Sequence, residues 1–411
     1  VTEAAVETPV LGGGHLRGTV ILPGLAGART LADAVVHWQD GRIVAVEPPD
    51  GHEPDTGLLL LPGFVDLHCH WPQAHVRGEF SGQLLPWLRE SIWPAEAAFA
   101  DTHLARTRAQ TFLQEAVAAG TCAGLLFGPP FLAASLALLE LAPRGFFDGP
   151  ALMEANGPEV LLRPVVQTLA GLRQVPAHVR ERLVVSPRFA PSLTSEGLAL
   201  CGRTGADLGL AVQSHVSENL DEIAWVHALF PDALDYVDVY DRAGLLGPRT
   251  VMAHGVHLSD RELARLAETR TLVAHCPTSN EALDSGRMPL ERLRSHGVQW
   301  VLATDVGAGP RLSQLDVMRA FLQTHQGLAD VTATEALIAA TARPGAFLAQ
   351  LDPRLEGLGT FEPGAPAHVV ALPRPAGPLQ TEALLRALLE QPPQGFETLP
   401  RQVVLWGTRQ A

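Results

Sequence analysis

Four distant stretches of this chain each carry an apolar, strand-like run directly into side chains that bind divalent metals. They are Val65-Asp66-Leu67-His68-Cys69-His70, Ala211-Val212-Gln213-Ser214-His215, Thr250-Val251-Met252-Ala253-His254 and Val301-Leu302-Ala303-Thr304-Asp305. Three or four imidazoles and one carboxylate brought to a common point make a site for a divalent metal. His68 and His70 stand two apart in an extended run, so both side chains leave one face and can share an ion, with Cys69 on the other. His215 is followed three residues later by Glu218, a spacing that sets a general acid/base beside the ion without making it a ligand. The competing reading has Ser217 capping the next helix and Glu218 solvated in its first turn. His254 is open to two roles, ligand or hydrogen-bond partner of a bound water, and Asp305 to both ligation and proton uptake.

Residues so far apart meet only if the fold gathers strand ends, and parallel strands closed into a barrel do that at one rim. Strand-like runs at 60–70, 119–127, 145–154, 183–190, 208–216, 249–256, 270–276 and 298–305 alternate with helical intervals such as Leu104–Ala119, Asp221–Phe230 and Asp260–Glu268. The third run is the weakest, being interrupted by Asp148-Gly149-Pro150. Eight such runs predict an α/β chain, a TIM-like (β/α)8 barrel over 62–364 that carries the chemistry. Both ends read instead as short strands with turns, at 16–22, 34–38, 42–46, 367–372 and 402–406. Gln39-Asp40-Gly41 between two of them is a hairpin signal. Residues 1–61 and 365–411 are predicted to form one small β-sandwich built from both termini, with a Pro/Gly-rich linker over 373–378.

With 411 residues and 46% hydrophobic content the chain can bury a large core. A net charge of −14 argues against a nucleic acid polymer or an anionic membrane as partner, since both need clustered cations. No apolar run reaches ~18 residues, so no transmembrane helix is expected. Val1-Thr2-Glu3-Ala4-Ala5 lacks the basic flank and apolar run of a secretory leader. Cys69, Cys122, Cys201 and Cys276 are scattered, which fits a reduced, cytoplasmic protein better than a disulfide scaffold. All thirty basic residues are arginine. The absence of lysine excludes a lysine Schiff base, a phosphate-loop lysine and a carboxylated-lysine bridge between two metals.

Taken together with Pro62-Gly63-Phe64-Val65-Asp66, Pro72-Gln73, Trp93-Pro94-Ala95-Glu96, Pro187-Arg188-Phe189-Ala190-Pro191, Ser217-Glu218-Asn219, His275-Cys276-Pro277-Thr278-Ser279-Asn280 and Val306-Gly307-Ala308-Gly309, these runs resemble the amidohydrolase superfamily. Within it, Gln73, Arg188-Phe189 and Ser217-Glu218-Asn219 resemble the guanine deaminase branch. That resemblance implies one zinc per subunit held by His68, His70, His215 and Asp305, with Glu218, His254 and Asp305 as catalytic residues. It also implies a purine base contacted by Trp71, Pro72, Gln73, Arg188, Phe189 and His215, guanine as substrate, xanthine and ammonia as products, and a homodimer. Arg188 has a physical reason to select guanine, whose O6 and N7 form the acceptor pair that arginine grips with two donors. Phe189 and Trp71 have the shape to stack on a purine, and equally to pack a core. The alternative within the superfamily is a hydrolase of another heterocycle, such as 8-oxoguanine, a pterin, cytosine or a triazine. A non-catalytic scaffold is disfavoured, because the whole ligand set is retained. The departures are Asp148 to Pro158, where Glu154 replaces an aspartate and a lysine is lost, and Gly364 to His368. His275 reads as structural or as support for the ligands.

Overall fold

The computed structural model describes residues 12–51, 56–80, 83–390 and 395–410. The N-terminal residues read above for a leader lie outside that set. Among these described residues, fifteen strands form two sheets. Strands β1 (Gly14–Gly24), β2 (Gly27–Gln39), β3 (Arg42–Glu47) and β4 (Leu58–Pro62) come from the N-terminal part. They join β13 (Val369–Pro373), β14 (Gln402–Leu405) and β15 (Thr408–Arg409) in a seven-stranded mixed sheet of order β15-β14-β13-β4-β1-β2-β3. Asp40 and Gly41 make the β2–β3 turn with φ of 50° and 72°, the double left-handed turn that an Asp-Gly pair favours.

The second sheet holds β5 (Phe64–Cys69), β6 (Thr121–Gly128), β7 (Phe146–Leu152), β8 (Val184–Pro187), β9 (Ala211–Val216), β10 (Thr250–His254), β11 (Leu272–His275) and β12 (Trp300–Leu302), parallel and in sequence order. The run predicted at 60–70 thus divides at Gly63 between the two sheets. Beyond β12 the chain returns to β5: Asp305 N donates to His68 O at 2.9 Å and His70 N to Val306 O at 2.6 Å. The eight-stranded sheet thereby closes on itself next to the metal-binding residues.

Alternation along the strands explains the two apolar layers. Val65, Leu67, Ala123, Leu125, Phe147, Val184, Ala211, Val251, Ala274 and Val301 come from all eight strands yet form one buried cluster, which only the barrel interior allows. Neighbouring positions such as Leu126, Val185, Val212, Met252 and Val273 face outward into the larger cluster shared with the helices. Helix Thr381–Leu389, inserted between β13 and β14, buries Leu384, Leu385, Leu388 and Leu389 in that same cluster. Among the described residues, no helix is long and apolar enough to cross a membrane.

Candidate metal centre and active site

Three strand ends deliver the donors. His68 is the penultimate residue of β5, His70 follows that strand, His215 lies near the end of β9, and Asp305 stands three residues beyond β12. One donor atom from each of these four residues lies within 4.8 Å of all the others. His70 Nε2 is 3.1 Å from His215 Nε2 and 3.5 Å from Asp305 Oδ1. His68 Nε2 is 3.2 Å from the same carboxylate oxygen, yet neither of its buried ring nitrogens has a hydrogen bond aligned to it. His215 Nδ1 donates to the Arg188 carbonyl at 2.5 Å, which leaves Nε2 with its lone pair toward the cluster. Burial pushes the pKa of all three imidazoles down, His70 and His215 furthest, helped in both by the charges of His68 and His254. Neutral imidazoles and an ionised carboxylate are the forms that ligate, and buried donors that converge without satisfying one another fit a divalent cation.

A second layer holds titratable groups. Glu218, 2% exposed, sits with Oε2 3.5 Å from His254 Nε2 and accepts a hydrogen bond from Ser285 Oγ at 3.1 Å on Oε1. Burial is the main reason its carboxyl is raised to about 7. His254 Nδ1 donates to Asn280 Oδ1 at 2.9 Å, which directs Nε2 toward Glu218 and toward Asp305 Oδ2 at 3.9 Å. Burial opposes its protonation, but the charges of Glu218 and Asp305 outweigh that and raise its pKa. Burial likewise pushes Asp305 up, while the close approach and charge of His68 and the charges of His254 and His215 outweigh it and hold Asp305 at about 2. Two carboxyls in one cavity are therefore split, one ready to exchange a proton near neutrality and one held ionised.

The backbone at these positions is unusual. Ser217, His254 and Asp305 have φ of 48°, 74° and 48°, left-handed values that side chains other than glycine rarely adopt. Such turns re-aim side chains at strand ends, and their clustering here marks a functional rim. Backbone N–H groups of Glu218 and Asn219 donate to Glu222 Oε2 at 2.9 and 3.2 Å, and Tyr236 OH donates to Glu222 Oε1 at 2.7 Å. Asp66 staples β5 to the segment after β12, accepting from the backbone N–H of Thr304 at 3.2 Å and from its hydroxyl at 2.5 Å.

Beside the cluster lies a cavity walled by Gln73, Leu84, Trp87, Leu88, Arg188, Phe189, Leu283 and Ala308, with Glu218, His254 and Asp305 at its floor. Arg188 and Gln73 are both buried, and each is hydrogen-bonded to Glu96: Arg188 Nη1 to Oε2 at 2.6 Å and Gln73 Nε2 to Oε1 at 2.7 Å. Phe189 stands edge-on to Trp225, ring centroids 5.7 Å apart. The cavity is about 30 Å³, room for one or two waters, so a larger molecule enters only if the apolar wall draws back. A wider surface cleft of about 590 Å³ near Gln326, Asp330, Arg386 and Glu390 contains none of the metal-binding groups found among the described residues.

The amidohydrolase family model matches residues 59–391. The chain is also 35% identical over 360 residues to the guanine deaminase of Escherichia coli K12, which covers 84% of this chain and 79% of that relative. The chain belongs to the amidohydrolase family. A solved E. coli guanine deaminase superposes with a TM-score of 0.86 at 29% identity, covering 97% of this chain and 99% of that one. A guanine deaminase from C. acetobutylicum, solved with guanine bound in its active site, superposes with a TM-score of 0.83 at 26% identity, covering 97% and 100%.

In this amidohydrolase the competing reading of residues 217–218 does not hold. Asn219, with Glu222, caps the helix Leu220–Leu229, and Glu218 is buried rather than solvated. Trp71 is buried edge-on to Phe99 at 5.2 Å, with Pro72 beside it, and neither is among the side chains that wall the cavity. Glu154 accepts hydrogen bonds from Thr194 Oγ1 at 2.8 Å and Thr194 N at 3.1 Å, so it is engaged in local structure. His275 pairs with His325, Nε2 to Nε2 3.0 Å, outside the group of His68, His70, His215 and Asp305. The sequence reading assigned no role to Glu96, Asn280, Ser285 or Glu222. The first two lie inside motifs that carried the family resemblance, but nothing in their spacing announces a partner 92 or 26 residues away.

Proposed function

We propose that this amidohydrolase catalyses the zinc-dependent hydrolytic deamination of guanine to xanthine and ammonia. One zinc ion per subunit would be held by His68, His70, His215 and Asp305, a nitrogen- and oxygen-rich set that suits it. When bound, zinc supplies Lewis acidity that brings the pKa of a water toward ~7. The remaining chemistry belongs to this chain's side chains. Asp305 and His254 take up and steer the proton that the water releases as it adds to C2 of the base. Glu218, near 7, donates its proton to the ring nitrogen next to C2; the proton held by Asp305 and His254 then passes to the departing amine, and the new C2 hydroxyl returns a proton to Glu218 as the C2 carbonyl forms, so that water and guanine balance against xanthine and ammonia. Arg188 supplies donors for O6 and N7, while Gln73 meets the neighbouring edge. Adenine would present an amine donor to that buried cation and be rejected.

The observation that carries this reading is the pairing of Arg188 and Gln73 in the wall of the cavity whose floor is Glu218, His254 and Asp305. The relatives at 30% identity or more named as guanine deaminases support it. The reading extends to a purine base as the partner and to a homodimer acting in the cytoplasm. The test is ammonia release by the zinc-loaded enzyme from guanine, 8-oxoguanine, adenine, a pterin, cytosine and an aminotriazine. Guanine should be preferred by at least about 100-fold; a higher kcat/KM on any other ring overturns the assignment.

A further inference from the structure

We infer that Glu96 is a positioning residue that sets the polarity with which the base edge is read, and so selects a lactam edge over an amidine edge. The inference rests on the deaminase reading of the site, but concerns a residue to which that reading gives no role.

Glu96 lies in the short helix Trp93–Ala97, is 1% exposed, and is not one of the four candidate metal-binding residues. Its two oxygens are divided between two side chains from other parts of the chain, Gln73 and Arg188. A carboxylate only accepts hydrogen bonds, so the Gln73 amide must turn its NH2 toward Glu96 and leave Oε1 as the acceptor. Among the described residues, Gln73 has no other side-chain hydrogen bond. The rim closes behind it: a Cβ at Gly307 would stand 2.6 Å from Gln73 Cβ and 2.9 Å from Oε1, so the glutamine is clasped between Glu96 and the chain after Asp305. On the other side, Glu96 holds Nη1 of Arg188 and leaves Nε and Nη2 as donors.

One carboxylate thus writes a fixed pattern, acceptor at Gln73 and donors at Arg188. A ring N–H beside a C=O matches both positions. A ring nitrogen acceptor beside an exocyclic amine mismatches both. Without Glu96 the glutamine amide is free to rotate by half a turn and serve either edge, because its two ends have nearly the same shape. The Arg188 carbonyl also accepts from His215 Nδ1, so the same residue ties base reading to a metal-binding imidazole.

The experiment compares two substrates that lose the same 2-amine but carry opposite edges, guanine and 2,6-diaminopurine. In Glu96→Gln, with zinc content and melting behaviour as in the parent, the ratio of kcat/KM for guanine over 2,6-diaminopurine should fall at least about tenfold, mainly through KM. The exchange Gln73→Glu/Glu96→Gln returns an acceptor-only group to position 73 and should restore the ratio; it also carries the test if the single variant does not accumulate. An equal loss on both substrates, or no rescue by the exchange, overturns the inference. Binding of hypoxanthine against adenine by calorimetry separates this outcome from failure of the deaminase reading. A parent that releases no ammonia from guanine but prefers hypoxanthine, with the preference lost in Glu96→Gln, retires the activity and keeps the role of Glu96. A parent with no preference between the two bases overturns that role.

Discussion

Among the described residues, two buried histidine clusters can be compared, and one of them has the donor set of a metal site. His68, His70 and His215 converge with Asp305, and their donor atoms share one small volume. His275 and His325 also meet nitrogen to nitrogen at 3.0 Å, with Arg287 Nη1 3.3 Å from the far side of His325. Burial depresses the pKa in both clusters, and His325 falls to about 4. The difference is the company: a carboxylate among the ring nitrogens in the first cluster, and in the second a guanidinium with a carboxylate partner of its own, Glu291. A cation is welcome beside Asp305 and repelled beside Arg287. Burial and imidazoles alone therefore do not define a metal site; the sign of the neighbouring charge does.

The comparison is broken most directly by removing a donor. His70→Ala should lose bound zinc and all measurable turnover, read by metal analysis and ammonia release; retention of stoichiometric zinc would mean that the cluster is not the site. Next in size, Glu218→Gln should keep its zinc and lose ~10²–10⁴-fold in kcat, since a proton donor is removed and no ligand is. Near-normal kcat in that variant would take Glu218 out of the mechanism. Its carboxyl also predicts a pH effect on the metal-free protein. The folded-state pKa of about 7 lies above the ordinary value of 4.5, so this group's contribution is complete below about 4.5 and is lost as pH rises through 7. The loss is on the order of 3 kcal/mol. Asp305, held at about 2, changes only in stronger acid. Metal-free Glu218→Gln should therefore gain in melting temperature over the parent at pH 8 and not at pH 4.5. Asp66, also raised to about 7 by burial, leaves part of the slope in place.

The convergence of the candidate metal-binding residues is legible because each lies at the end of a strand-like run, and a parallel barrel has one rim where strand ends meet. Its distance to His215 singles out Glu218, and the fold buries it beside His254. What escaped the sequence reading are contacts whose partners lie far along the chain. Glu96 in Trp93-Pro94-Ala95-Glu96 has the appearance of a solvated helix-end carboxylate, and only the fold shows that Gln73 and Arg188 bracket it. Asp148-Gly149-Pro150 has the composition of a turn, yet β7 runs through it. Gly149 is needed there because a Cβ would sit 2.0 Å from the Val184 carbonyl of the next strand. Helix Thr381–Leu389 was passed over, although Leu384, Leu385, Leu388 and Leu389 recur at helical spacing.

The smallest expected effect tests the silent cluster. His325→Phe keeps an aromatic ring next to Phe321, whose centroid lies 5.2 Å away, but removes the nitrogen that faces His275 Nε2. A buried polar atom left without its partner costs ~1–3 kcal/mol, so the variant should melt lower at pH 7.5 while zinc content and kcat stay at parental values. The pH dependence runs opposite to that of Glu218. The folded pKa of His325, about 4, lies below the ordinary 6.5, so its contribution is complete above 6.5 and is lost as pH falls toward 4. The deficit of His325→Phe against the parent should accordingly shrink between pH 7.5 and pH 5, because only the parent has an imidazole at position 325 to protonate. A deficit that is constant across that range would mean that the pair contributes by shape alone, and loss of zinc would mean that the two clusters are one.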